Sequence, residues 1–416
     1  MTTKPLLAQF GAGNIGRSLV GQLFANAGWE VVFLDVDQAV VDALNRRHAY
    51  RITVKDDLLP GQPGHIDVAN VSGIDLRDRE AALAALARAD LIGSSVGAAN
   101  LKSVCGLIAE ALAGRTRPLS ALLCENLHDA ARLAGEHLRG ALPPDFPLDE
   151  RIGLVEAAIG KMVPYTPPEV RKADPLAVWA EAYNTLYLDA DACLGTPPTV
   201  FGVAWRRPFQ AYVDRKLFQH NFGHAAAAFH GHLAGKTYIW EAMSDPGVAA
   251  EVAGCMFETA RALAARHADV FTFDENRASG DDLMRRFRNQ ALADPVFRVG
   301  RDLGRKLAPA DRCIGSLRLM AETGTPYAYS ARAVAAGLLF AAVDEDGRPY
   351  PGDREIVAEA AAKGPEAVLA GLCGLDPDRE ADLIRAVADA YRHLARTGQA
   401  APASAWGKKQ GAAGAS

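Results

Sequence analysis

The sequence predicts an α/β domain at the N-terminus followed by a mostly α-helical domain. Short apolar runs of strand length alternate with helical periodicity up to about residue 195, which is typical of a parallel sheet with crossover helices. From residue 196 to residue 396 the periodicity stays helical and strand candidates are few. We therefore predict an α/β domain over residues 1–195, a helical domain over 196–396 and a disordered tail, rich in Ala, Gly and Ser, over 397–416.

Composition and charge limit the class of protein. The chain has 416 residues, of which 49% are apolar and 23% charged, as in a globular protein of two or three domains. The net charge of −5 gives no indication of a nucleic-acid or anionic-membrane partner. No apolar run reaches the roughly 18 residues of a membrane span, and the N-terminus lacks the features of a signal peptide. We expect a cytoplasmic protein without a nucleic-acid or membrane partner.

Six cysteines are scattered along the chain without a C-x-x-C pair or other tight spacing. This distribution favours buried free thiols in a reducing compartment over disulfides or a metal role. The cysteines therefore indicate no metal centre.

The first predicted strand leads into a glycine-rich turn. A buried strand over residues 5–10 runs into Gly11-Ala12-Gly13-Asn14-Ile15-Gly16, and a helix and a second strand over residues 29–34 follow. In such a turn the first two glycines allow a tight bend and the approach of a pyrophosphate to backbone N–H groups, and the third lets helix and strand pack closely. Its place between strand and helix predicts a Rossmann-type dinucleotide-binding domain.

Two charged residues near this turn bear on the cofactor. Asp35 ends the second strand, 19 residues after Gly16, where a carboxylate accepts hydrogen bonds from the adenosine ribose and repels a 2′-phosphate. NAD is therefore predicted rather than NADP. Arg17 is a further candidate for contact with the cofactor, and a structural role for it is equally open.

The remaining segments of the first domain follow in order. Residues 50–54 and 65–71 alternate like paired strands, with 60–64 as the turn between them. After a strand over residues 151–156, Pro164–Pro168 breaks the pattern. The other predicted elements are helices over 40–44, 81–89 and 101–113 and strands over 91–97, 119–124 and 186–188.

Three residues lie at the ends of predicted strands. Val96 and Gly97 close the strand over 91–97, and Asn126 follows the strand over 119–124. Ligands of open α/β sheets bind at the carboxyl ends of the strands, so these residues are candidates for the cofactor site. Asn126 would alternatively cap the following helix.

In the helical domain, one segment carries four polar side chains that can take part in chemistry. At about 100° per residue, His220, His224 and Asn221 lie at roughly 40°, 80° and 140° from Lys216. The far side is apolar and carries Phe218, Phe222 and Ala225. An amine, two imidazoles and an amide could move a proton and stabilise an oxyanion. A solvated polar helix face is the alternative.

A zinc site is a second interpretation of the same segment. His220 and His224 have the i, i+4 spacing of metal ligands, and His230 and His232 follow closely. No Glu stands inside the pair as in H-E-x-x-H, and no nearby acid or cysteine cluster completes four ligands. The sequence therefore predicts chemistry without a metal.

Together with Asn126, the glycine turn and the Lys216 segment resemble the polyol-specific long-chain dehydrogenases, the mannitol dehydrogenase family. The resemblance extends from Phe10 to about Leu375 and includes the family signature Lys216-x4-Asn221-x2-His224. The segments that are similar to the branch acting on mannitol 1-phosphate are Phe297-Arg298-Val299-Gly300-Arg301, Arg305-Lys306-Leu307 and Lys363-Gly364-Pro365.

The resemblance implies a metal-independent, NAD-dependent oxidoreductase that interconverts mannitol 1-phosphate and fructose 6-phosphate. Lys216 would be the general acid/base, which requires burial or a neighbouring cation to lower its pKa from about 10.4. Asn126 and Asn221 would donate hydrogen bonds to the carbonyl or alkoxide oxygen, and His224 would orient the substrate. The partner implied is a small-molecule substrate, and we expect a monomer.

Three departures from the family pattern bear on the substrate. Ile159-Gly160-Lys161-Met162 stands where many members have Val-Asp-Arg-Ile, so Gly160 replaces an acid that helps to shape the active site. His220 replaces a residue that is usually neutral, and Thr325-Pro326-Tyr327 replaces Leu-Pro-His. A free hexitol, or a hexuronate such as mannonate or altronate, is the alternative substrate. A non-catalytic NAD-binding sensor is the alternative from another class.

Arg298, Arg301, Arg305, Lys306 and Arg312 form a basic cluster in a net-acidic chain. Guanidinium groups bind phosphate in a forked geometry, and they bind carboxylates equally well. The alternative is a solvated helix face paired with Asp302 and Asp311. The sequence therefore leaves phosphorylated and carboxylated substrates open.

Overall fold

The computed structural model describes residues 4–57, 61–127 and 129–397. The chain divides into two compact units, Met1–Tyr212 and Val213–Ser416. The division falls after the predicted boundary at residue 195, because a strand over Val203–Arg206 still belongs to the sheet of the first unit. The predicted tail from residue 398 onwards and Pro60 of the predicted turn lie outside the described residues.

The first unit contains eleven described strands and seven described helices. The strands are β1 (Leu6–Phe10), β2 (Glu30–Asp35), β3 (Ala49–Val54), β4 (His65–Ala69), β5 (Val71–Asp75), β6 (Leu91–Ser94), β7 (Leu119–Leu123), β8 (Ile152–Ile159), β9 (Val178–Ala180), β10 (Leu186–Asp189) and β11 (Val203–Arg206). The helices are α1 (Gln22–Asn26), α2 (Gln38–Arg47), α3 (Arg79–Arg88), α4 (Ala98–Ala113), α5 (Ala130–Ala141), α6 (Leu148–Arg151) and α7 (Pro168–Ala173), and a π-helical segment over Gly16–Gly21 precedes α1.

An eight-stranded sheet in the order β11-β10-β8-β7-β6-β1-β2-β5 forms the centre of this unit. Successive residues of β1 face opposite sides, so Leu7 packs into one apolar core and Ala8 and Phe10 into the other. β2 lies on one side of β1 and β6 on the other, both in parallel. The strand order therefore reverses beside β1, which is where ligands of such sheets bind. The predicted Rossmann-type architecture is confirmed.

The predicted strand over residues 65–71 is two strands in the structure. β4 pairs antiparallel with β3, as predicted, in a separate sheet of order β4-β3-β9. Asn70 adopts a left-handed backbone conformation with φ of 60° and ends β4. The next residue, Val71, begins β5, which joins the main sheet beside β2. The single-strand prediction was wrong because alternating side chains do not show a change of sheet.

The second unit is mostly helical, as predicted. α8 (Gln210–Arg215) spans the division, and a π-helical segment over Lys216–Asn221 joins it to α9 (Phe222–Leu233). The helices that follow are α10 (Ile239–Ser244), α11 (Pro246–Arg266), α12 (Phe273–Phe287), α13 (Val296–Gly300), α14 (Leu303–Lys306), α15 (Arg312–Glu322), α16 (Ala328–Gly337), α17 (Asp353–Lys363), α18 (Pro365–Ala370) and α19 (Ala381–Thr397), with a 3₁₀ turn over Gln290–Leu292.

Helix α9 is the central helix of the second unit and packs against α10, α11, α13 and α16. Its side chains from Ala225 to Phe229 are fully buried. A Cβ at Gly223 would lie 2.1 Å from Cε of Met256, so glycine at this position lets α9 and α11 approach closely. α9 therefore gives the Lys216 segment, which leads directly into it, a rigid support. Among the described residues, no helix is both long and apolar enough to cross a membrane.

Candidate functional site

The glycine turn lies between β1 and the π-helical segment over Gly16–Gly21. Gly11 has a positive φ of 86°, and a Cβ there would lie 2.7 Å from the carbonyl oxygen of Ser95. A Cβ at Gly16 would lie 2.0 Å from the carbonyl oxygen of Gly11. Both glycines are therefore needed by the turn itself. A Cβ at Gly13 would meet no atom within 4 Å, so Gly13 leaves room for an approaching ligand, as a dinucleotide pyrophosphate requires.

The carboxylate of Asp35 is held against this turn. Its Oδ2 accepts a hydrogen bond from the Ala12 amide at 2.6 Å, and its Oδ1 accepts one from the Asp37 amide at 2.9 Å. An ionised carboxylate has about four acceptor positions, so these two bonds orient Asp35 and leave acceptor capacity for ribose hydroxyls. The turn and the acid together fit a dinucleotide without a 2′-phosphate.

Arg17 points into the protein. Its side chain is buried, with 4% of the residue exposed, and Nη1 donates a hydrogen bond to the Pro175 carbonyl at 3.2 Å. Burial lowers its pKa, although Tyr50 and Asp35 oppose that shift. Tyr50 also donates a hydrogen bond to the Arg17 carbonyl at 2.6 Å. These contacts of Arg17 lie within the first unit and fit the structural role that the sequence left open.

Glu125 is a site residue that sequence reasoning did not single out. Its buried carboxylate accepts hydrogen bonds from the amides of Val96 at 2.9 Å and Gly97 at 2.8 Å and from the Ser94 hydroxyl at 2.7 Å. Glu125 thus fixes the loop after β6 beside the end of β7. The neighbouring Asn126 is exposed at the same edge of the sheet. Asp129, and not Asn126, occupies the N-cap position of α5. The only signal in the sequence was its place next to Asn126.

The segment over residues 159–162 follows β8 at the carboxyl edge of the same sheet. Lys161 is buried, and its Nζ donates a hydrogen bond to Oδ1 of Asn184 at 3.1 Å. The amide of Met162 donates to the buried carboxylate of Glu181. The residue after Gly160 therefore brings a buried, hydrogen-bonded amine to this edge of the sheet.

In the second unit, Lys216 and Asn221 begin and end the π-helical segment. The prediction of a regular α-helix was wrong here, and so was the placement of Asn221 at 140° from Lys216. A π-helix links residues five apart by backbone hydrogen bonds, so Asn221 lies closer to the face of Lys216 than an α-helix allows. The apolar side of the segment is confirmed, since Phe222 and Ala225 are buried.

The Lys216 side chain is partly buried, in surroundings that disfavour the charged form of its amine. Burial is the main cause that lowers its pKa, to about 8, and the guanidinium groups of Arg312 and Arg305 lower it further. Asp311 opposes this shift. Both conditions that the general acid/base role requires, burial and neighbouring cations, are therefore present around Lys216.

His224 stacks on Phe287 with a ring distance of 4.8 Å, and its Nε2 lies 3.5 Å from Oδ2 of Asp294. Burial lowers the pKa of His224 to about 4, and it does so against the opposing effect of Asp294. The pKa of His220 is also well below its usual range, because of burial and then Arg286. Both rings are therefore neutral at pH 7 and can donate and accept hydrogen bonds.

The basic cluster lies close to these side chains, and much of it is paired with acids. Arg298 contacts Asp294 at 2.6 Å, Arg305 contacts Asp302 at 2.6 Å and Arg312 contacts Asp311 at 2.8 Å. Lys306 is buried and donates to the carbonyl of Arg301, whose guanidinium lies over the Phe297 and Tyr350 rings. Burial, with Arg312 and Arg305, lowers the pKa of Lys306 to about 7.

These basic side chains act on the catalytic candidates of the same unit. Arg312 acts on the charge state of Lys216, His220, His224 and Lys306. Arg298 also contributes to the low pKa of His224. In the described part of the chain, no group of three or more His, Cys, Asp or Glu side chains is gathered as metal ligands would be.

Comparison with known proteins places both units in one family. The family model of the mannitol dehydrogenase Rossmann domain matches residues 6–200, and that of the mannitol dehydrogenase C-terminal domain matches residues 209–395. A substrate-free D-sorbitol dehydrogenase is similar in structure, with a TM-score of 0.76, 19% identity and coverage of 95% of this chain and 94% of that chain. The ternary complex of Pseudomonas fluorescens mannitol 2-dehydrogenase with NAD and D-mannitol has a TM-score of 0.71, 17% identity and coverage of 95% and 93%.

The two solved structures are less than 25% identical to this chain and support its fold only. The family models match most of both units and support its membership of the family. The resemblance inferred from the glycine turn and the Lys216 segment is confirmed, and with it the prediction of an oxidoreductase. The chain belongs to the mannitol dehydrogenase family.

Proposed function

We propose that this protein is an NAD-dependent dehydrogenase that interconverts mannitol 1-phosphate and fructose 6-phosphate. The first unit would bind NAD. Gly13 leaves space for the pyrophosphate, and Asp35 offers acceptor positions to the ribose hydroxyls and repels a 2′-phosphate. NAD, when bound, supplies the acceptor for the hydride that leaves the polyol carbon.

Lys216 would act as the general base in polyol oxidation and as the general acid in ketose reduction. In oxidation its neutral amine takes the hydroxyl proton while the carbon–hydrogen bond breaks and the carbonyl forms. In reduction the ammonium group returns that proton to the oxygen. A group whose pKa lies near the working pH serves both directions. The observation that carries this assignment is the position of Lys216, partly buried and close to Arg312 and Arg305, which lowers its pKa to about 8.

Asn221 and His224 would bind the oxygen that reacts and its neighbours. The amide of Asn221, brought towards the face of Lys216 by the π-helical segment, would donate a hydrogen bond to the carbonyl or alkoxide oxygen. The neutral ring of His224, oriented by Phe287 and Asp294, would hydrogen-bond a substrate hydroxyl. Asn126, at the carboxyl edge of the first unit's sheet, is proposed as a further donor.

A phosphorylated substrate is supported by the charge of the basic cluster. Its five basic residues outnumber the three acids Asp294, Asp302 and Asp311 that pair with them. Each guanidinium has five N–H donors, so one carboxylate contact through Nε does not exhaust it. The surplus of donors and positive charge fits a phosphate group near Lys216.

The first experiment is NADH oxidation with fructose 6-phosphate, fructose, fructuronate and tagaturonate in parallel. We expect strong activity with fructose 6-phosphate only, and a large rise in its KM when Arg298 or Arg305 is replaced by Gln. Activity with fructose or with a uronate alone would keep the dehydrogenase chemistry and overturn the phosphate assignment.

A free hexitol is the second candidate substrate. It is favoured by one observation, which is that the mannitol 2-dehydrogenase of similar fold was solved with D-mannitol. The hexuronate alternative uses the same arginines, and fructuronate and tagaturonate in the assay test it. NADH binding without turnover of any of the four compounds would favour the non-catalytic sensor.

A further inference from the structure

Arg312 lies at the first position of α15, and Asp311 anchors it. The Asp311 carboxylate caps the helix by accepting a hydrogen bond from the Arg312 amide and also contacts Nε of the same residue at 2.8 Å. Arg305 approaches the other oxygen of Asp311 at 3.7 Å. Only 11% of the Arg312 side chain is exposed. The carboxylate of Asp311 therefore pairs with the guanidinium groups of both Arg312 and Arg305, and the three side chains together carry a net positive charge.

Helix α15 packs directly on the π-helical segment that contains Lys216. A Cβ at Gly315 would lie 2.5 Å from Cε1 of Phe218, so this glycine allows an unusually close approach. The Ser316 hydroxyl lies 3.4 Å from the Phe218 carbonyl and also donates to the Arg312 carbonyl. Arg312 and Ser316 are four residues apart and share one helix face. That face is therefore the one that meets the start of the Lys216 segment.

The charged groups around Lys216 come from several elements of the second unit. Arg312 and Asp311 belong to the start of α15, and Arg305 belongs to α14. Helix α12 directs Arg286 towards His220, and α9 carries the neutral His224. Asp214, two residues before Lys216 in α8, contacts His267, which follows α11, at 2.8 Å. Among these charged groups, Arg312 has the largest effect on the pKa of Lys216.

We propose that Arg312, anchored by Asp311 at the end of α15 that packs on the Lys216 segment, is a positioning residue that adds to the effect of burial and disfavours the ammonium form of Lys216. Like charges placed close together disfavour the charged form of each, and the guanidinium of Arg312 stays protonated at all working pH values. Arg312 thus acts through Lys216. The inference rests on the assignment of Lys216 as general acid/base.

The test titrates Lys216 directly, without substrate. Acetic anhydride acylates only neutral amines, so the extent of Lys216 acylation, measured by mass spectrometry across pH, reports its protonation. In Arg312→Gln we expect the midpoint to move upwards by about one pH unit. In Arg312→Lys it stays near the original value because the charge is kept. In Asp311→Asn it moves downwards, and Asn still caps the helix.

Arg277→Gln is the matched control, because it removes the same charge from an exposed position on α12. Its midpoint should be unchanged. Opposite shifts in Arg312→Gln and Asp311→Asn separate an electrostatic role from a loss of folding, which would move both variants in the same direction. An unmoved midpoint in folded Arg312→Gln overturns the inference.

The same experiment separates this inference from the proposed function. If Lys216 titrates as expected but none of the four ketoses is reduced, the function is wrong and the electrostatic role of Arg312 stands. If fructose 6-phosphate is reduced and the Arg312→Gln and Asp311→Asn midpoints equal the original one, the inference alone is overturned.

Discussion

At the scale of single residues, the protonation of Lys216 should control the direction of catalysis. The pKa of Lys216 is about 8, and burial is the main cause that lowers it from the usual 10.5. Polyol oxidation needs the neutral amine, so its rate should rise with pH and level off above about pH 8. Ketose reduction needs the ammonium group, so its rate should fall over the same interval. Rates of both directions between pH 6 and pH 10 measure this, and parallel profiles would contradict the role of Lys216.

Replacing Lys216 by Met removes the proton-transferring group and keeps most of its apolar stem. We expect the rate of ketose reduction to fall by about 10²–10⁴-fold, since that is the usual contribution of a general acid or base. NADH affinity, measured by fluorescence titration, should be unchanged because the glycine turn and Asp35 belong to the first unit. A variant that keeps nearly full activity would remove Lys216 from the mechanism.

At the scale of elements, two glycines of one turn should respond differently to the same substitution. Gly16→Val should destabilise the free protein, because the added Cβ would lie 2.0 Å from the Gly11 carbonyl oxygen. Gly13→Val should leave the thermal midpoint of the free protein almost unchanged, because its Cβ meets no atom within 4 Å. It should nevertheless abolish the rise in that midpoint on adding NADH. Retained NADH binding in folded Gly13→Val would argue against a pyrophosphate at this turn.

Helix α16 depends on an acid from another helix. The carboxylate of Glu258, in α11, accepts hydrogen bonds from the amides of Tyr329 and Ser330 at 2.9 and 2.8 Å. Burial raises its pKa from 4.5 to about 7 in the folded protein. Because the folded pKa is the higher one, the stability linked to this proton is fully present below about pH 4.5 and is lost as pH rises to about 7.

Glu258→Gln should therefore gain stability relative to the original protein between pH 5 and pH 8. At 1.36 kcal/mol per pH unit, the rise of the Glu258 pKa from 4.5 to about 7 limits this gain to roughly 3–4 kcal/mol. Thermal midpoints of both proteins across this range measure it. A difference between the two that does not change with pH would show that Glu258 does not titrate there.

The sequence predicted the parts of these elements that depend on neighbours in the chain. The tight turn between β1 and the helical segment that follows was predicted correctly, because Gly11 and Gly16 are close in sequence and the turn is built from that stretch alone. The end of β4 at Asn70 was missed, since a single left-handed residue leaves the alternating pattern intact. The role of Glu125 was missed as well, because its partners lie at the end of β6 and in the loop that follows it, and only the folded sheet brings them together.

At the scale of the whole molecule, cofactor preference should appear as a difference in stability. A ligand that binds only the folded state stabilises it by about 2.7 kcal/mol at a concentration 100 times its Kd. NADH should therefore raise the thermal midpoint strongly and NADPH at equal concentration only weakly, because Asp35 repels a 2′-phosphate. Asp35→Ser should reduce the gap between the two. Equal shifts by both cofactors in the original protein would contradict the assignment of NAD.

The fold class and the family could be predicted for the whole chain, but the surroundings of Lys216 could not. The glycine turn and the signature over residues 216–224 are short local patterns, and both family models confirm what they indicate. Arg312, at the start of α15, and Asp294, just before α13, act on His224 from distant parts of the sequence, and their positions depend on how the helices pack. The sequence showed the basic cluster but not which of its members would affect the charge of Lys216.

The π-helical segment between Lys216 and Asn221 also has a consequence for the helix that contains it. A turn closed between residues five apart holds one residue more than an α-helical turn, so this segment equals an α-helix into which one residue has been inserted. Deleting Leu217 would close the same turn with one residue fewer, and Lys216 and His224 would keep nearly the same relative direction. The extra residue therefore changes which residue shares the face of Lys216, while α8 and α9 keep the rotational register of an uninterrupted helix.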